Sequence, residues 1–359
     1  SGIVRSKTQL IIMRVLIAIF IAVSAFIALN KDSLGYMICD VVDMIDNETH
    51  TLFIGRMYEG DVYQDKEVMT YGYYQEHKDE LLKVKDRMYK INAETTMFYH
   101  ERLYQPLAKI AQDYVKKRKL DNNTLKAFKI GYSGEFNELY KHLKQKGFKD
   151  EEILATGLVN KNDRGEFIDR FRRRLMFPIM EVGGKVIAFG GRKLDNNEKI
   201  AKYINSNENL VYSKKKHLFG LNLAKLTNNK KIILVEGYMD AISLYQRGIT
   251  NVVASLGTAL TEEQGRLLRK YSEQIILSYD SDGAGQEAIM RGLSILENQG
   301  CDARVIQMEG AKDPDEFVIK YGSGRFNLLV ENAISLVEFT QNIGEVIMRD
   351  LYPLTAGSL

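Results

Sequence analysis

The chain has 359 residues, 45% hydrophobic and 27% charged, with 28 Gly and 4 Pro, which excludes a disordered, collagenous or disulfide-stapled protein and fits two or three domains. Its net charge of +3 hides an asymmetry: residues 1–80 hold 7 basic against 12 acidic side chains, residues 81–230 hold 32 against 17, and residues 231–359 hold 11 against 18. A basic middle beside an acidic end suits phosphate neutralisation in the one and divalent-cation binding in the other, with ordinary solvated lysine faces as the plainer alternative.

Residues 10–29, LIIMRVLIAIFIAVSAFIAL, form an apolar run whose only charged residue is Arg14. At helical rise such a run crosses a bilayer core. Arg5, Lys7 and Arg14 toward its start give it the look of a signal anchor, and a buried core helix is the competing reading. YMICDVVDMID and THTLFIGRMYEGDVY then read as two β-rich runs turned near Asp46-Asn47.

From about residue 80 the spacing becomes helical through DELLKVKDRMYKINAETTMFYHERLY and LAKIAQDYVKKRKL. Asp121 caps a short helix in DNNTLKAFKIGY, and FNELYKHLKQKGF and KDEEILATGLV are two more, each ending near a Gly. The period then shifts. FRRRLMFPIMEVGGKVIAFGGRKL reads as strand, Gly-Gly turn and strand, and KYINSNENLVYSKKKHLFGL is loop-rich and basic. Residues 231–320 alternate strand and helix, with Thr261 and Gln264 forming a capping pair before the second helix. Repeated β-α-β units imply a mostly parallel sheet with helices on its faces.

Ligands of such sheets sit at the carboxyl ends of the strands. Three acidic groups fall there: Glu236 and Asp240 after KIILV, Asp280 and Asp282 after IILSY, and Asp313 and Asp315 in AKDPDEF. Carboxylates crowded at one edge repel one another unless a cation lies among them, and hard oxygens in that number suit Mg2+ or Mn2+. The alternative is that each merely caps the next helix. Cys39 and Cys301 lie far apart, and the five His show no ligand spacing, so no zinc is expected.

The motifs Glu236-Gly237-Tyr238-Met239-Asp240, Asp280-Ser281-Asp282-Gly283-Ala284-Gly285 and Lys312-Asp313-Pro314-Asp315-Glu316 resemble the Toprim domain of bacterial DnaG-type primases. Upstream, INAETTMFYHERLY, DRFRRRLMFPI, VIAFGGR, KYINS and SKKKHLFGLNLAK look like the N-terminal subdomain of the primase catalytic core, and ASLGTALT matches within the Toprim part. The resemblance covers about residues 84–339. Separately, Val41–Tyr74, with THTLFIGR and MTYGYY, resembles the C-terminal strands of flavin reductase-like split barrels. A piece of a barrel leaves open sheet edges and is not expected to bind flavin alone.

The primase resemblance implies an α/β fold, α+β overall: a Toprim β-α-β sheet flanked by helices, preceded by a basic mixed α+β subdomain. It implies a cytoplasmic nucleotidyltransferase of the primosome, a DNA-directed RNA polymerase that builds an RNA primer from NTPs on a single-stranded DNA template. Glu236, Asp280 and Asp282 are then catalytic, and Glu236, Asp240, Asp280, Asp282, Asp313 and Asp315 hold Mg2+ (or Mn2+). Glu236 is open to three roles: ligand, general base near the attacking hydroxyl, or plain acceptor at a tight turn. Arg170, Arg172, Arg173, Arg174, Arg192 and Lys202 would line a groove for template or triphosphate, alternation placing some on one strand face. Lys214 and Lys215 contribute more weakly, as does Lys216, because a lysine run is also a common solvated loop. Lys312 beside the acids would hold triphosphate or pair with a neighbouring carboxylate. Tyr203 stacks on a base or is simply buried.

The expected division is an apolar segment at 1–30, a β-rich remnant at 31–80, the basic subdomain at 81–230, the Toprim metal-binding domain at 231–320 and a truncated helical segment at 321–359. The family's zinc module and helicase-binding region are expected to be absent here, so template start-site selection and coupling to the replicative helicase are expected to be impaired or lost, and residues 10–29 are the candidate membrane tether. Three other readings stand beside primer synthesis: a non-catalytic nucleic-acid-binding primase fragment, another Toprim enzyme (nuclease or topoisomerase), and a membrane-tethered flavoprotein.

Overall fold

The computed structural model describes residues 35–47, 50–62, 71–195, 199–227, 230–257, 259–279 and 283–341, with side chains from residue 79 onward apart from 283–287. The apolar run at 10–29 and the stretch 342–359 lie outside the described residues. Among the described residues no helix is long and apolar enough to cross a membrane. The chain divides into two compact units, Ser1–Asp79 and Glu80–Leu359.

In the first unit, β1 (Gly35–Asn47) and β2 (His50–Val62) form an antiparallel hairpin, Asn47 opposite His50. Its register shifts between Ile38 and Cys39 and again between Val41 and Asp43. These two strands are the whole of that sheet among the described residues. The barrel resemblance also counted MTYGYY as strand, and here it needs correction: a helix, Tyr71–Leu103, begins at Tyr71.

In the second unit, that helix turns one stripe inward. Met88, Ile91, Asn92, Thr95, Tyr99 and Leu103 are buried at spacings of three and four. Helices Lys109–Lys117, Asn122–Ala127, Glu138–Gln145 and Asp150–Ala155 follow. Asp121 caps the second of these by accepting from the Thr124 amide. β3 (Gly131–Tyr132), β6 (Arg174–Met180), β7 (Val186–Lys193) and β8 (Tyr203–Asn205) build a four-stranded antiparallel sheet in the order β3-β6-β7-β8, and β4 (Val159–Lys161) pairs with β5 (Phe167–Asp169). All of β6 is buried because the sheet is covered on both faces. Phe189 meets Tyr99 edge-on at 5.7 Å, and Phe177 stacks at 5.1 Å on Tyr238, which belongs to the parallel-sheet part of the unit.

A second sheet has the order β10-β9-β11-β12-β13, with β9 (Lys231–Val235), β10 (Val252–Ala254), β11 (Gln274–Ser278) and β12 (Asp302–Val305) parallel and β13 (Ile334–Ser335) antiparallel at the edge. Ile232–Val235 and Ile275–Ser278 are buried throughout, as expected of parallel strands packed on both faces. Helices Tyr238–Gln246, Glu262–Arg269, Gly283–Asn298 and Pro314–Glu331 cover the sheet. Thr261 and Gln264 make the expected capping box, and the last helix breaks at Gly322 (φ 82°). One contiguous apolar cluster runs from Phe177 and Ile179 of β6 through Tyr238 and Ile242 to Phe317, so the basic subdomain and the parallel sheet share a core.

Candidate active site

β9 is the strand where the order reverses: the chain leaves it outward to β10, then returns across it to β11 on its other side. At such a switch point the connections after neighbouring strands diverge and leave a crevice. Over these strand ends lies a cleft of about 970 Å³. Glu236 follows β9, and Ser255, Leu256 and Gly257 follow β10. Lys312 and Asp313 lie in the segment between β12 and the helix Pro314–Glu331. Ser278 of β11 sits opposite Val235, so Tyr279 emerges at the same sheet edge as Glu236. Asp280 and Asp282 lie outside the described residues.

The four described acids all line this cleft. Glu236 is half-buried. Burial pushes the Tyr279 phenol up, and the Glu236 carboxylate beside it adds to the shift. Asp240, in the first turn of its helix, accepts from the Gly237 N-cap amide at 3.1 Å, and Asp313 is itself the N-cap of the helix Pro314–Glu331, accepting from the Glu316 amide at 2.7 Å. Asp315 is buried, and its Oδ2 is paired with the Arg118 guanidinium at 2.5 Å. Among the described residues no three His, Cys, Asp or Glu form a metal-holding group. The carboxylates that line the cleft are hard oxygen donors, a set whose chemistry fits a hard divalent cation.

Arg170, Lys202, Lys214 and Lys312 also line the cleft, together with Tyr203. The Tyr203 phenol is pushed up to about 12 by burial, so it stays neutral at physiological pH. The arginine-rich stretch needs correcting. β6 starts only at Arg174, so Arg170, Arg172 and Arg173 lie in the β5–β6 connection and do not alternate along a strand. Arg174 is 4% exposed, and its guanidinium donates to the carbonyls of Gly191 and Ala201; it staples the sheet from inside and does not reach the cleft. Arg170 lines the cleft, yet donates to the Asn205 carbonyl. Arg192 lies over Tyr114 at 4.2 Å, and Arg172, Arg173 and Lys215 are exposed away from the cleft lining.

Two features were not singled out from the sequence. Arg118 sits in a Lys-Lys-Arg-Lys run that looks like any solvated helix end, and its partner Asp315 is 197 residues away. Phe136 is 70% exposed in the loop whose Gly134 carbonyl accepts from the Arg173 amide. A lone Phe in a loop carries no signal until its exposure is known.

Two family models match the chain: the N-terminal domain of the DNA primase catalytic core over residues 98–225, and a Toprim-like domain over 233–318. The DNA primase of Clostridium acetobutylicum is 41% identical over 272 residues, 75% of this chain and 44% of that protein. The chain thus spans less than half the length of the curated relatives it matches. A DnaG primase catalytic domain bound to ssDNA superposes with a TM-score of 0.67 at 34% identity, covering 73% of this chain and 86% of the other. The primase catalytic core of E. coli gives 0.66 at 36%, covering 71% and 82%. The Toprim match implies use of a divalent metal.

Proposed function

The chain belongs to the family of bacterial DnaG-type primases with a Toprim domain, and we propose that it is a nucleotidyltransferase that builds RNA primers from NTPs on single-stranded DNA. The observation that carries this reading is a single cleft that gathers the strand-end carboxylates Glu236, Asp240 and Asp313 with the cationic Lys202, Lys214 and Lys312. In the reaction a hydroxyl oxygen bonds to the NTP α-phosphorus, the bond from that phosphorus to the bridging oxygen breaks, and pyrophosphate leaves. Such chemistry depends on positioning and charge neutralisation more than on covalent help. A bound Mg2+ or Mn2+ supplies positive charge at the phosphate oxygens, and Glu236, Asp240 and Asp313, with Asp280 and Asp282, are the residues that would hold it. Lys202, Lys214 and Lys312 bind the triphosphate. Glu236 is also the group that would take the hydroxyl proton. Phe136 offers a stacking face for a template base, with Arg172 and Arg173 nearby in the chain's basic connection.

Incorporation of labelled NTPs on single-stranded DNA with Mg2+ tests the reading, run beside Glu236→Gln and Asp313→Asn. Primer synthesis by the wild type that collapses in both variants, with DNA affinity kept, supports it. Equal signal from wild type and Glu236→Gln removes the catalytic role and leaves nucleic-acid binding alone.

A further inference from the structure

We infer that Asn205 is a positioning residue that registers the basic sheet against the Toprim strand ends; its effect on rate rests on the primer-synthesis reading, its geometry does not. Asn205 is the last residue of β8, paired with Gly190 of β7. Three links meet on it. Its Oδ1 accepts from the Tyr238 hydroxyl at 2.8 Å, and its Nδ2 donates to the Leu256 carbonyl at 2.8 Å. Its own carbonyl accepts from Arg170 Nη2 at 2.9 Å and Nε at 3.3 Å. Tyr238 and Leu256 follow the ends of β9 and β10, so one amide ties two Toprim loops to the basic sheet.

The chemistry of the contacts dictates an amide. A carbonyl oxygen can only accept, so the group facing Leu256 must donate, while the other end accepts from the phenol. A carboxylate would set two acceptors face to face. Tyr238 cannot move to compensate. It is 5% exposed, stacked on Phe177 at 5.1 Å and edge-on to Phe219 at 4.8 Å. Along the chain Tyr238 stands between Glu236 and Asp240, and Asn205 follows Lys202 and Tyr203. The Asn205 amide therefore sets the spacing between the carboxylates and the cations of the cleft. A displacement of about 1 Å in such a site costs on the order of a hundredfold in rate.

The test compares wild type, Asn205→Asp, Asn205→Ala, Tyr238→Phe and the Asn205→Ala/Tyr238→Phe pair. Primer-synthesis kinetics are measured beside hydrogen exchange on peptides covering 203–205, 236–240, 254–257 and, as a reference, 274–278. The expected result is a kcat loss of about tenfold or more in both Asn205 variants, with KM for NTP held within about twofold. Exchange speeds up in the first three segments together and not in the reference. Tyr238→Phe loses less, and the double variant is no slower than Asn205→Ala alone. A raised KM at unchanged kcat overturns the inference, since Asn205 would then touch nucleotide. So do multiplying losses, or faster exchange confined to 203–205. Absence of primer synthesis by the wild type refutes the proposed function instead, and the exchange arms still decide on Asn205.

Discussion

Gly190→Ala probes the seam between the two halves of the catalytic unit. Gly190 lies in β7 between Phe177 of β6 and Asn205 of β8. A Cβ built there would stand 2.5 Å from Tyr238 Cζ, 2.6 Å from its oxygen and 2.8 Å from Cε2. Ordinary contact needs roughly 1 Å more. The ring has nowhere to go, with Phe177 on its face and Phe219 at its edge. Overpacking of this kind costs about 1–3 kcal/mol, and a strained Tyr238–Asn205 hydrogen bond adds about 1 kcal/mol. Lower chain entropy in the unfolded state returns about 0.5–1 kcal/mol. The expected net loss is about 1–3 kcal/mol, read by urea denaturation. Tyr238→Leu removes the three crowded atoms, so in that background Gly190→Ala should be neutral or stabilising. An equal cost of Gly190→Ala in both backgrounds would show that Tyr238 does not crowd this glycine and would refute the packing argument.

Two further outcomes follow from residues outside the cleft. Asp169 is 1% exposed, and although it accepts from the Leu139 and Tyr140 amides, burial raises its carboxyl from the ordinary 3.8 to about 6. Between those pH values the folded state holds more protons than the unfolded, so this group's contribution is present at low pH and lost as pH rises through about 6. The difference amounts to roughly 3 kcal/mol, and Asp169→Asn should flatten that slope in denaturation curves from pH 4 to 7; identical slopes in both proteins would contradict it. Phe136→Ala should weaken single-stranded DNA binding by about 1–3 kcal/mol in fluorescence anisotropy while leaving the melting temperature unchanged. Unaltered affinity would mean that no base stacks there.

Much of the framework was legible residue by residue. KIILV and QIILS hold short apolar runs of the kind a strand covered on both faces carries, and both are buried in the parallel sheet. Asp121 and Thr261 announced helix starts because a cap is a contact between residues three apart. The acids after β9 and β12 were placed at the sheet's carboxyl edge by the alternation alone, and both sets line the cleft. The MTYGYY stretch went the other way: the barrel resemblance counted it as strand, and from Tyr71 onward it is the start of a helix that runs to Leu103.

Other features needed the folded chain. Arg172, Arg173 and Arg174 are chemically alike and adjacent, yet two are exposed and the third is sealed against the Gly191 and Ala201 carbonyls. Asp315 looks like Asp313 in the motif, but its carboxylate is held by Arg118 from the opposite end of the unit's sequence. By itself the sequence determined the order of strands and helices over residues 231–320, the parallel sheet and the acidic edge, because periodicity and capping act over a few residues. The tertiary structure alone decided which cations reach the cleft, which are spent on backbone carbonyls, and that Asn205 joins the two sheets. Those outcomes depend on which groups meet after folding and on the cost of leaving any of them buried without a partner.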